Sequence, residues 1–124
     1  MKKFCTVLVL LLMSQINAYS APERIILRDK GSSPTRDDLP LYFDIPEVFY
    51  NHDPKTQEII IDGGGIVSYY DVEISTPVTN YVEISTQVNG TYDTFDISSL
   101  SPGSHIITIE SPSGNIYEGT FTSY

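Results

Sequence analysis

The groups in this sequence that could do acid–base or nucleophilic chemistry are two histidines, sixteen carboxylates and many hydroxyls. His52 stands in Asn51-His52-Asp53-Pro54, and His105 in Ser104-His105-Ile106-Ile107. A Ser-His-Asp triad is recognised by geometry, and no nucleophile elbow accompanies either histidine. His105 alternates with Ile107 and Ile109, which on a strand turns it toward the core, so its expected job is structural. His52 is expected in solvent at a turn. Asp62-Gly63-Gly64-Gly65 raises calcium, but calcium takes six to eight oxygens, often from alternate positions of one loop, and each loop here offers one or two carboxylates. The glycines are not a phosphate cradle, because no helix or lysine follows them. We therefore expect no catalytic residue, no metal and no cofactor.

Tyrosine is the remaining signal: nine are present and no tryptophan. Exposed aromatics offer rigid, amphipathic contact area at low entropic cost. If Tyr70 points inward, Tyr69 and Tyr81 share the wet face of their strands with Glu73 and Glu83, and Tyr92 lies in a nearby loop. Tyr69, Tyr81, Tyr92, Glu73 and Glu83 are the candidate binding surface. A protein partner fits it best, and sugar rings could also stack there. Loops 51–55 and 112–115 could alternatively be presented to a peptidase, as other sandwich scaffolds do. Asn89-Gly90-Thr91 matches a glycosylation sequon, and Asn-Gly equally marks a hairpin turn.

The elements that would carry these residues are short strands. Apolar or β-branched runs at 41–45, 48–50, 57–62, 66–75, 81–88, 94–97, 105–110 and 116–122 are separated by Pro, Gly, Asn and Ser. About seven strands with turn signals every 8–12 residues predict an all-β, immunoglobulin-like antiparallel sandwich. Tyr70, Val72 and Ile74 alternate with Asp71, Glu73 and Ser75, and Val82, Ile84 and Val88 alternate with Glu83, Ser85 and Gln87. That period means one face buried and one wet.

Ahead of the sandwich, Lys2 and Lys3 precede a short apolar run that gives way to Ser14, Gln15 and Asn17. This is the order of a secretory signal peptide, too short to span a membrane, with cleavage expected after Ser20. Residues 1–20 are thus expected to be a signal peptide, 21–38 a flexible leader and 39–124 the domain. The single cysteine, Cys5, leaves with the signal, so no disulfide is expected. Of 124 residues, 104 remain, enough for one domain. Loss of Lys2 and Lys3 takes the net charge from −9 to −11, and no basic residue follows Lys55. Such a surface repels nucleic acid and anionic lipid. The expected location is outside the inner membrane: periplasm, cell surface or medium, with no integral membrane segment after cleavage.

The stretch Asp96-Ile97-Ser98-Ser99-Leu100-Ser101-Pro102-Gly103-Ser104-His105-Ile106-Ile107-Thr108-Ile109, with Gly114-Asn115 and Gly119-Thr120-Phe121, resembles the domain-of-unknown-function (DUF) family 3244 of Bacteroidetes. More distantly it is similar to the C-terminal sorting domains of the type IX secretion system. The resemblance spans about residues 36 to 124 and implies a small, exported, immunoglobulin-like sandwich without assigned activity. Those sorting domains usually end in basic residues; this sequence ends Thr120-Phe121-Thr122-Ser123-Tyr124, so sorting is not the expected role. His105 stands where the family usually has tyrosine, and an imidazole can make a similar bond to the preceding corner.

Overall fold

The computed structural model describes residues 21–31, 44–53 and 55–123. Nine strands follow one another: β1 (Glu23–Ile25), β2 (Arg28–Gly31), β3 (Glu47–Asp53), β4 (Thr56–Asp62), β5 (Tyr69–Ser75), β6 (Val82–Asn89), β7 (Tyr92–Asp96), β8 (Gly103–Glu110) and β9 (Ile116–Ser123). They form two antiparallel sheets, one ordered β1-β3-β4-β7 and the other β2-β9-β8-β5-β6. Seven of the expected runs become β3 to β9. The expected signal peptide, residues 1–20, lies outside the described residues, as do 41–43 of the expected run 41–45. Asp44 sits in a turn before β3.

Alternation decides the layering. Val48, Tyr50, Ile59 and Ile61 of the first sheet face Tyr70, Val72, Ile74, Ile107 and Ile109 of the second, all with 2% exposure or less. Each such side chain taken from water contributes about 1.5–3 kcal/mol before the chain-entropy cost is set against it. Ile97 and Leu100, in the link between β7 and β8, close the same core.

Part of the expected flexible leader is sheet. β1 pairs with β3 and β2 pairs with β9, and Ile25 enters the core at 4% exposure. Ile26 and Leu27 carry the chain from one sheet to the other. This segment has no apolar period because β1 contributes one core residue, and β2 is an edge strand whose contacts are polar. Arg28 and Lys30 reach Glu118 at 2.6 and 3.6 Å. Gly119 makes room for the crossing, because a Cβ there would lie 2.6 Å from Ile25 Cγ2 and 2.9 Å from the Ile26 carbonyl oxygen.

Asn89-Gly90 is not a hairpin turn. β6 and β7 belong to different sheets, and Asn89 Oδ1 organises the crossing by accepting from the amides of Thr91 at 3.0 Å and Tyr92 at 2.9 Å. Gly90 packs against the Val67 carbonyl so closely that a Cβ would lie 1.8 Å from its oxygen. The glycine serves backbone contact rather than turn geometry.

Candidate interaction surface

The candidate tyrosines do not form one face. Tyr69 pairs with Asn89 at one end of the β5–β6 hairpin, while Tyr81 precedes Val82 at the other. Six residues of strand separate the ends, roughly 20 Å. Tyr92 opens β7, in the other sheet. Tyr81 and Tyr92 are exposed at 67% and 55%, but they mark opposite ends of the molecule's flank.

Glu73 and Glu83 are also separated. β5 and β6 pair with Glu73 opposite Ser85, and the register slips after Ile74 opposite Ile84, so that Ser75 meets Val82. The extra residue is Glu83. A bulge turns a side chain to the other face, and Glu83 leaves the wet face for the sandwich mouth. There its carboxylate accepts from the Ser101 hydroxyl at 2.8 Å and meets His105 Nε2 at 2.6 Å. Desolvation pulls the Glu83 pKa up, but the bonds from the Ser101 hydroxyl and amide and from His105 outweigh it. The carboxyl is held below its ordinary value.

His105 has the structural position expected of it. It is 1% exposed, its Nδ1 lies 2.9 Å from the Gly103 carbonyl oxygen, and its ring stacks on Phe121 at 5.6 Å. The order Ser101–Glu83–His105 is not that of a nucleophile and base, because the serine donates to the acid rather than to the imidazole. His52 is on β3 rather than in a turn: half-buried, edge-on to Tyr50, and 3.8 Å from Glu23. Among the described residues no group of three or more His, Cys, Asp or Glu could hold a metal ion.

A polar cluster not anticipated from the sequence surrounds Asp44, a carboxylate with no exposed surface. Ser113 donates to it at 2.6 Å, Asn115 Nδ2 donates to both oxygens at 3.2 Å, and the Tyr117 hydroxyl donates to Oδ1. Tyr70 donates to the Asp44 carbonyl oxygen at 2.8 Å. Burial raises the Asp44 pKa, yet the donors Ser113, Tyr117, Ser111 and Asn115 together bring it below the ordinary value. Burial, then the nearby Asp44 charge, pushes the Tyr70 phenol up to about 12. Burial and the bond to Asp44 drive Tyr117 higher still. The cluster pins the segment before β3 onto the β8–β9 turn. It also engages Ser113 and Asn115 of the loop 112–115, whose Pro112 is exposed.

Among the described residues both β6 and β7 are edge strands with an unpaired outer side, and β7 carries Asp93 and Asp96 on its five residues. The eight residues of β6 contain no proline or lysine, and their one charge, Glu83, is turned away. Edge strands of this length usually carry a charge, proline or cover that blocks further pairing. At its start, Val78, Tyr81 and Val82 are exposed at 93%, 67% and 43%.

Two sheets with these strand orders, closed around one apolar core, define an immunoglobulin-like β-sandwich. The chain is similar in fold to the crystal structure of a DUF3244 family protein with an immunoglobulin-like β-sandwich fold from Bacteroides vulgatus ATCC 8482. The two share 13% sequence identity and a TM-score of 0.61, over 84% of this chain and 100% of that one. The structural likeness agrees with the family resemblance carried by residues 96–109. No protein-family model and no curated protein matches the chain.

Proposed function

We propose that this is an exported, non-enzymatic binding module that engages a protein partner by adding a strand to the open edge of β6. The observation that carries this is the unpaired β6 ladder beside the exposed Tyr81 and Val82. Backbone groups on such an edge give affinity, and side chains in alternate positions give selectivity. Exposed aromatic residues are frequent anchors in protein interfaces. Sugar binding has less support, since Tyr69, Tyr81 and Tyr92 share no face.

The test uses the purified protein as bait against envelope and medium of the source cell, with two proline variants. In a strand, successive N–H groups point to opposite sides. Of Ser85→Pro and Thr86→Pro, one breaks the β5 ladder and the other removes a donor only from the outer edge. The variant that keeps the wild-type melting temperature should recover the partner at least about tenfold less well. Equal recovery by that folded variant would remove strand addition as the mode of binding.

A further inference from the structure

The outer face of the five-stranded sheet is built in rows. Pairing across β2, β9, β8, β5 and β6 aligns Arg28, Glu118, Thr108, Glu73 and Ser85 in one row. The next row aligns Gly31, Ile116, Glu110, Asp71 and Gln87. At the β2 edge the acid of the first row is matched: Arg28 and Lys30, two residues apart on an extended segment, both contact Glu118. Toward the β6 edge the acids lack a cation among the described residues: Asp71 accepts only from the neutral Gln87 Nε2, at 3.1 Å. Asp71 and Glu110 stand directly opposite each other, an arrangement that costs stability, and Glu73 lies one row away. Among the described residues no Lys or Arg pairs with any of these three. The β6 residues in front of them are the uncharged Ser85 and Gln87.

From this we infer that the strand received by β6 is an extended segment with Lys or Arg at alternate positions, its basic side chains laid over Ser85 and Gln87 toward Glu73 and Asp71. The inference rests on the strand-addition reading above and names the chemistry of its partner. β2 shows the same arrangement on the same sheet: a short polar strand with two bases at alternate positions, docked on an edge and neutralised by an outer-face acid. An added strand would lie one spacing from β6 and two from β5, roughly 10 Å from Glu73, within the combined reach of a lysine and a glutamate side chain. Between its two bases, the intervening residue would lie opposite Thr86 and point to the sandwich flank, the side on which Ile84 and Phe95 pack against the core. An apolar residue fits there, giving the order base, apolar, base. Lys or Arg on the partner also answers the charge of this half of the chain, which has nine acidic residues and no basic one after Lys55.

The probe is a synthetic peptide as long as β6 that alternates lysine with valine or threonine. It is compared with a serine-for-lysine peptide and with a peptide of the same composition whose lysines are clustered at one end. Binding to the isotope-labelled protein is followed by amide chemical shifts. The expected result is that the alternating peptide shifts the amides of residues 84–89, that the clustered peptide binds more weakly, and that affinity falls with salt. The double variant Asp71→Asn, Glu73→Gln keeps the fold and should weaken the alternating peptide about tenfold, as loss of two surface ion pairs would. If the serine peptide shifts the same amides as strongly, or the double variant binds unchanged, the basic partner is refuted while strand addition survives. Equal binding of the clustered peptide refutes the alternate spacing. If no peptide moves the β6 amides, both strand addition and the inference fall.

Discussion

Asp44 is a fully buried carboxylate held by neutral donors instead of a cation. Buried charge is tolerated only when its oxygens are satisfied. Asp44→Asn puts an amide N–H₂ where Asn115 and Tyr117 already donate, and should cost about 2–4 kcal/mol by urea unfolding. Tyr117→Phe removes one donor and leaves the others, so the loss should be smaller, about 1–3 kcal/mol. Neither residue's role was legible in the sequence. The donors to the Asp44 carboxylate lie 69 to 73 positions away, and no local pattern announces a meeting at that range. His105 was legible, because its alternation with Ile107 and Ile109 is local and the bond to Gly103 needs only the preceding corner. Glu83 was misplaced for a physical reason: strict alternation assigns it to the wet face, and one bulge reverses that assignment.

Among the elements, β3 to β9 could be read from period and turn residues: β3, β4, β5, β8 and β9 each bury two or more apolar side chains on one face, while β6 buries Val88 with Ile84 half-buried and β7 only half-buries Phe95. The two N-terminal strands could not. β1 offers a single inward residue, Ile25, and β2 has the composition of a loop. Their order comes from partners supplied by β3 and β9. Gly119→Ala tests how far the fold depends on this crossing. A methyl there meets both Ile25 and the Ile26 backbone, so the variant should be destabilised by about 1–3 kcal/mol in denaturant unfolding. Ile25→Ala combined with Gly119→Ala should cost less than the sum of the two single changes, since the truncated side chain relieves part of the clash. Additive costs would mean that the backbone alone sets the crossing.

For the molecule as a whole, the carboxylates and phenols set the pH range of stability. Asp44, Glu83 and Glu118 all have folded-state pKa values below their ordinary 3.8 or 4.5. Glu118 is lowered first by the bond from Arg28, with burial opposing it. Depressed carboxylates stabilise fully above their unfolded pKa, and that stability is lost as pH falls through the folded values. Thermal melts should therefore be flat down to about pH 4.5 and drop below it. Tyr70 has the opposite sign. Its folded pKa is raised from 10.0 to about 12, so its contribution is complete below pH 10 and lost as pH climbs through that window. The loss attributable to this phenol is on the order of 2 kcal/mol, and Tyr70→Phe should flatten the alkaline limb while lowering the neutral-pH melting temperature. An alkaline limb unchanged by Tyr70→Phe would mean that another phenol governs it. The crossing from β1 to β2 also bears on how the fold is reached. Arg28 meets Glu118 across 90 residues, so one edge of the larger sheet is closed by nearly the longest loop the described chain can form. Contacts of that separation slow folding, to the order of milliseconds to seconds for sandwiches. A chain delivered through a pore from its N-terminus would hold β2 without its neighbour until residue 118 had emerged, and the sandwich would close only after passage of the strand that completes it.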